Sequence, residues 1–317
     1  MNAVSLPVAP ATTQTEKLPA AAGRAPGRTG ESRLAALLLA PTVVGIGLFT
    51  VLPIIGSLVL AFFSWDIISS PRFVGLENFR TMATSPTIRV SFLNTFGFVV
   101  VAVLLQIAVA LGLAVLVQSK MPGWMRTFFR SVFFFPLILS AASVSLIMSY
   151  LFNEDFGTVN KLLGLLGMAP VPWLTSTHGA MVVTVLVYVW QNFGFTFLLF
   201  IGGLSSIPQE VYEAADIDGA STWNRFWRLT LPLLSPTMLV ASVMAIISAL
   251  QIFDQPFVLT KGGPGDSTRT AVMVIYQSAF QELHFGLAAA IGLVLMLIIM
   301  FVTWLQFRLS RRFVFYM

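Results

Sequence analysis

The sequence predicts an all-α, polytopic membrane protein with about six transmembrane helices, and three observations carry that prediction. Of its 317 residues, 57% are hydrophobic and only 10% are charged, against roughly 25% charged in a soluble globular chain. The charges cut the chain into long uncharged stretches, each near or above the ~20 apolar residues that a bilayer-crossing helix requires. The alternating pattern of membrane β-strands is absent, which rules out a β-barrel.

The elements follow in order. Residues 1–30 are rich in Ala, Pro, Thr and Gly and lack the apolar run of a secretory signal, so they read as a disordered cytoplasmic tail. The rest, 31–317, reads as one transmembrane domain. No charge falls between Arg33 and Asp66, which gives a first span near 36–62. Arg89 to Lys120 encloses a second near 92–117, and Arg130 to Glu154 a third near 131–152. Lys161 to Glu210 is too long for one helix. Its opening part holds Gly, Pro and Ser, so the fourth span is expected near 180–203. A fifth is expected near 233–253 and a sixth near 285–307. Each can close its own backbone hydrogen bonds in lipid. Of the prolines in or beside spans, Pro41, Pro53, Pro136 and Pro236 read as simple bends, and Pro232 as more than that.

Lys and Arg set the orientation. With a cytoplasmic amino terminus, one side receives Lys17, Arg24, Arg28, Arg33, Lys120, Arg126, Arg130, Arg225, Arg228, Arg308, Arg311 and Arg312. The other receives Arg72, Arg80, Arg89, Lys161, Lys261 and Arg269. The excess favours both termini inside. It also explains the net charge of +5 without nucleic acid. Cysteine is absent, and His178 and His284 lie far apart with no HExxH spacing, so a metal site is not expected.

One cytoplasmic loop, 204–232, stands apart. Ser206 and Gln209 have capping-box spacing, and Pro208 suits a first turn. Glu210 and Glu213 suit the amino end of a helix dipole. Val211, Ala214 and Ala215 share one helix face. Gly219 is placed to end that helix in the left-handed conformation, and Ser221 to cap a second. Trp223, Phe226 and Trp227 would line one face of the second helix, beside Arg225 and Arg228. Such a helix–Gly–helix element fits either a groove on a partner protein or the lipid surface, with Trp at the headgroups.

Glu213-Ala214-Ala215, Asp218-Gly219-Ala220, Phe226 and Leu231-Pro232 closely resemble the EAA loop of bacterial ABC-importer membrane subunits. Phe73 to Phe79, Asn94-Thr95, Phe257 to Pro264, Tyr276 to Phe280 and Phe285 to Ala289 are similar to the sugar-permease branch typified by the maltose and glycerol-3-phosphate systems. The likeness covers nearly everything after residue 33. The larger subunit of the maltose system carries a big external insertion that this chain lacks. The resemblance implies a type I importer permease fold in a bacterial inner membrane. It also implies a second, homologous permease subunit, two ABC ATPase subunits that use ATP and Mg, and an extracytoplasmic solute-binding protein. Glu213, Ala214, Ala215, Asp218, Gly219, Ala220, Phe226 and Pro232 would then couple the chain to its ATPase, with Ala214 and Ala215 facing that partner. The solute would be a disaccharide, an oligosaccharide or a glycerophospho-compound.

Gly262-Gly263-Pro264-Gly265 lacks the Gly-Lys-Ser/Thr ending of a phosphate loop. The chain therefore reads as no enzyme and as binding no cofactor itself, with ATP hydrolysed by another chain. Within the spans, Tyr188, Trp190, Gln191, Asn192 and Thr196 fall on the fourth, and Ser242, Ser248 and Gln251 on the fifth, with Asp254 at its outer end. Each is either helix–helix glue or part of the lining of a solute path. As a cluster, Gln191, Asn192, Gln251 and Asp254, with Tyr188 beside them, are the candidates for substrate contact. An ion-coupled carrier would want an ionisable group deep in a span, and a membrane-embedded enzyme a nucleophile with its base; neither pattern is present.

Overall fold

The computed structural model describes residues 28–118 and 121–311, with side chains from Ala35 onward. Most of the expected 1–30 tail lies outside them, and its last three residues are helical. The chain divides into two compact units, the first ending at Ile54 and the second beginning at Ile55.

The described part of the first unit, from Arg28 onward, is helical. Helix α1 (Arg28–Ile46) runs through Pro41 into a π-helical turn, Gly47–Val51, and α2 (Leu52–Leu60) begins there.

The second unit opens with a short hairpin, β1 (Phe63–Ser64) against β2 (Arg72–Phe73), antiparallel with Phe63 opposite Phe73. Helix α3 (Glu77–Thr84) follows, and Asn78 Nδ2 donates to the carbonyls of Ala61 and Phe63, both at 2.9 Å. Then come α4 (Pro86–Gln118), α5 (Gly123–Ile138), α6 (Ala141–Leu151), α7 (Thr158–Leu165) and α8 (Thr177–Ser206). Between α8 and the next long helix lie α9 (Gln209–Ile217), α10 (Thr222–Arg225), a π-helical turn Phe226–Thr230 and α11 (Leu231–Leu233). They lead into α12 (Ser235–Leu250), α13 (Asp254–Leu259), α14 (Ala271–Tyr276), a π-helical turn Gln277–Gln281 and α15 (Phe285–Ser310).

Among the described residues, five stretches are long and apolar enough to cross a membrane: Ala35–Leu60, Pro86–Gln118, Thr177–Ser206, Ser235–Leu259 and Phe285–Ser310. They match the first, second, fourth, fifth and sixth expected spans. The third differs. Where one helix near 131–152 was expected, α5 and α6 meet at a 97° bend. Pro136 has no N–H to donate, and Leu139 and Ser140 are extended (ψ 145° and 128°). Counting the bent pair as one span gives six.

Helix α8 is the axis of the second unit and packs against α4, α5, α12 and α13. Small residues allow the close approaches. Ala102, Ala110 and Ala114 of α4 are fully buried. A Cβ on Gly194 of α8 would sit 2.2 Å from the Phe133 carbonyl oxygen of α5. Phe197 and Phe200 fill the core beside Phe133. Asn94 of α4 donates to the carbonyls of Asp266 (2.6 Å) and Arg269 (3.1 Å), and Thr95 Oγ1 accepts from Ala271 N at 3.0 Å. The Asn94-Thr95 pair thus fastens α4 to the segment that leads into α14.

Candidate coupling element and intramembrane polar cluster

Helix α9 begins at Pro208 (φ −58°, ψ 137°), with no side-chain cap. The capping box expected from Ser206 and Gln209 does not form. Ser206 is the last residue of α8 and its Oγ donates to Gly203 O at 2.8 Å, while Gln209 Nε2 donates to Glu213 Oε1. The rigid Pro208 sets the entry angle instead.

At its other end the helix closes as the sequence suggests. Gly219 has φ +71°; its N–H bonds to Asp216 O (3.1 Å), and Ala220 N bonds to Ala215 O (3.0 Å). These two bonds form a Schellman motif, which satisfies carbonyls that the helix end would leave free. Ser221 Oγ then accepts from Asn224 N at 3.3 Å and caps α10. Arg225 pairs with Asp216 across the turn, and Tyr212 and Thr230 hydroxyls meet at 3.2 Å. The two short helices are thereby held at a fixed angle.

Glu213, Ala214, Asp218 and Gly219 are exposed, and Ala220 and Phe226 are half-buried. Ala215, on the same helix face as Ala214, is buried, with 8% of it exposed. Between the helices runs a groove of about 500 Å³ lined by Val211, Ala214, Ala215, Asp218, Ala220, Asn224, Arg225, Arg228 and Leu229. Trp223 and Trp227 lie edge to face at 5.5 Å, with Trp223 70% exposed. Pro232 sits in α11, directly after the π-helical turn. Leu231 N, the last N–H before it, bonds to Phe226 O. The tight i→i−5 turn precedes a residue that has no N–H of its own.

The intramembrane residues divide by exposure. Tyr188 is buried edge-on to Phe98 at 5.1 Å. Gln191 is buried; its Nε2 donates to Leu139 O at 3.1 Å, and its Oε1 accepts from Gln255 Nε2 at 2.9 Å. Asn192 is half-buried and donates to Tyr188 O. Gln251, which ends α12, and Asp254, in the first turn of α13, are exposed. Helices α8 and α13 come together through Gln191 and Gln255, which places Asp254 one residue from that junction. Among the buried amides that escaped the sequence reading are Gln255, and Gln106, which donates to Thr196 Oγ1 at 2.8 Å. For Gln106 the signal was plain, an amide inside the second apolar run. Among the described residues no group of three metal-ligating side chains exists. The Gly262–Gly265 segment forms a turn, with Gly262 and Gly265 at φ 87° and 55°.

Several apolar helices long enough to cross a bilayer define a multi-pass membrane protein. Residues 106–315 match the family model of the binding-protein-dependent transport system inner membrane component. The chain belongs to that family, and is therefore a transport permease and not an enzyme. It is 35% identical to the sulfoquinovosyl glycerol transport system permease protein SmoG of Agrobacterium fabrum, over 89% of this chain and 92% of that one. It is 34% identical to the multiple sugar-binding transport system permease protein MsmF of Streptococcus mutans, over 87% and 94%. The fold matches a crystal structure of a bacterial ABC transporter involved in the import of the acidic polysaccharide alginate, with a TM-score of 0.80 and 23% identity over 89% of this chain and 96% of that one.

Proposed function

We propose that this chain is one of two channel-forming subunits of an ATP-driven importer for a carbohydrate or related polar solute. The observation that carries the reading is the Gly219 element, an exposed, pre-angled pair of short helices with a groove between them. Such a surface fits insertion into a partner. Its partners are a second, homologous permease, two ATPase subunits that bind ATP and Mg, and an extracytoplasmic solute-binding protein. The sugar class is supported by what the relatives SmoG and MsmF are named for. Both termini lie in the cytoplasm, as the Lys and Arg distribution favours.

In this reading Glu213, Ala214, Asp218 and Gly219 meet the ATPase directly, while Ala215, Ala220, Phe226 and Pro232 hold the element's shape. ATP binds the two states of the ATPase pair with different affinity, and that difference moves the coupling helices and reopens the solute path. Asn192, Gln251 and Asp254 face the solute, and Tyr188 and Gln191 stand behind them. The chain holds no nucleotide itself.

The test is purification of the chain alone and with its neighbours. Alone it hydrolyses no ATP. Reconstituted with its ATPase, second permease and binding protein, it supports ATPase activity that rises when carbohydrate is added. Hydrolysis by the isolated chain, shown free of contaminants, or a full assembly indifferent to every carbohydrate offered, would sink the reading.

A further inference from the structure

The amide of Gln191 is held by protein on both its nitrogen and its oxygen side. Its donor goes to Leu139 O and its acceptor receives Gln255 Nε2, and the two residues are 4% and 5% exposed. Buried to this extent, neither residue is placed to bind a solute directly. The Leu139 carbonyl needs a partner for a conformational reason. At the 97° break between α5 and α6 the backbone turns extended, so this carbonyl leaves the helical ladder. A bilayer supplies no water to replace the lost donor. Gln191 supplies it from α8, and Gln255 completes the arrangement from α13, which packs on both α6 and α8.

We propose that Gln191 and Gln255 are positioning residues. Together they form an amide latch that joins the broken span, the central helix and α13, and so fixes the place of Asp254 and Gln251. The latch rests on the reading above only in taking Asp254 and Gln251 as the groups that face the solute. Side-chain amides suit the task because each carries a donor and an acceptor and stays neutral in a low-dielectric interior. A carboxylate at either position would lose a donor and bring a charge into the bilayer.

The experiment uses the reconstituted importer with Gln191→Leu, Gln255→Leu and the double variant. Uptake KM and maximal rate are measured per assembled complex, for the carbohydrate the unmodified assembly imports. Each single variant should raise KM about fivefold, the scale of one lost buried hydrogen bond. The double variant should be no worse than the more severe single one, since both remove the same latch. If Gln191→Leu raises KM and Gln255→Leu does not, Gln191 touches the solute itself and the proposal fails. If all three lower only the amount of assembled complex, the amides are packing and it fails again.

The second measurement does not depend on transport. The sequence contains no cysteine, so Asp254→Cys gives a single thiol for a water-soluble maleimide. Its labelling rate should change by about threefold, and alike, when Gln191→Leu or Gln255→Leu is added. Unchanged labelling overturns the latch whatever the uptake assay gives. An unmodified assembly that imports no carbohydrate counts against the functional reading and leaves the labelling result to judge the latch.

Discussion

Gly219 is held to glycine by its backbone. A Cβ there would meet nothing within 4 Å, yet φ is +71°, where an L-residue loses about 1–2 kcal/mol and a β-branched one more. A graded series follows. Gly219→Asn, whose side chain tolerates that region, should keep ATPase co-purification and substrate-stimulated activity within about twofold, whereas Gly219→Val should lose most of both while the chain still reaches the membrane. Glu213→Ala keeps the turn and should give a milder loss than Gly219→Val. Equal damage from Asn and Val would mean that the ATPase, and not the turn, rejects the side chain. Gly219 and Ser221 were legible in the sequence because each acts on bonds within five residues of itself. Gln255 was not, since its partner lies 64 positions away. The missing capping box shows the same limit from the other side: Ser206 had the right spacing, but α8 continues through it.

At the scale of elements, the broken span is where pattern reading failed. Residues 131–152 form one uncharged stretch, and hydropathy alone does not see a bend. Pro136 was the available signal, set aside as an ordinary kink because membrane helices tolerate proline. The bend is held by tertiary contacts: α13 packs on α6, and Gln191 donates to the Leu139 carbonyl. The seam of α5 on α8 depends on another absent side chain. Gly194→Val would drive a Cβ to 2.2 Å from Phe133 O, and a helix backbone cannot yield there without parting the seam. Overpacking of this kind costs typically 1–3 kcal/mol. The variant should show a lower melting temperature in detergent and less assembled complex. Unaltered melting would mean that α5 docks elsewhere. The exposed Asp216–Arg225 pair is worth at most about 1 kcal/mol, so the Schellman bonds at Gly219 do more of the holding.

For the whole molecule, the span pattern was readable because lipid imposes length and apolarity on every crossing helix. Which helix forms the axis was not readable, because burial of α8 depends on neighbours distributed along the chain. Orientation can be tested directly. A reporter fused after Met317 should be active only in a form that works in the cytoplasm, and a reporter placed at Lys161 only in a form that works outside. Cytoplasmic activity from the Lys161 fusion would mean that the bent α5–α6 pair does not cross the membrane.

The contacts of Asn94 with residues 172 and 175 positions later have a consequence for biosynthesis. At about 5–20 residues per second, the ribosome delivers the partner turn roughly 9–35 s after Asn94 itself. Thr95 bridges that interval within its own helix, since its hydroxyl also donates to Ser91 O. Asn94 has no such local partner, and on a nascent chain its amide faces water or headgroups until residues 266–271 arrive. A chain stalled before Asp266 would leave α4 threaded and its outer end unfastened, which gives a quality-control protease a specific place to begin.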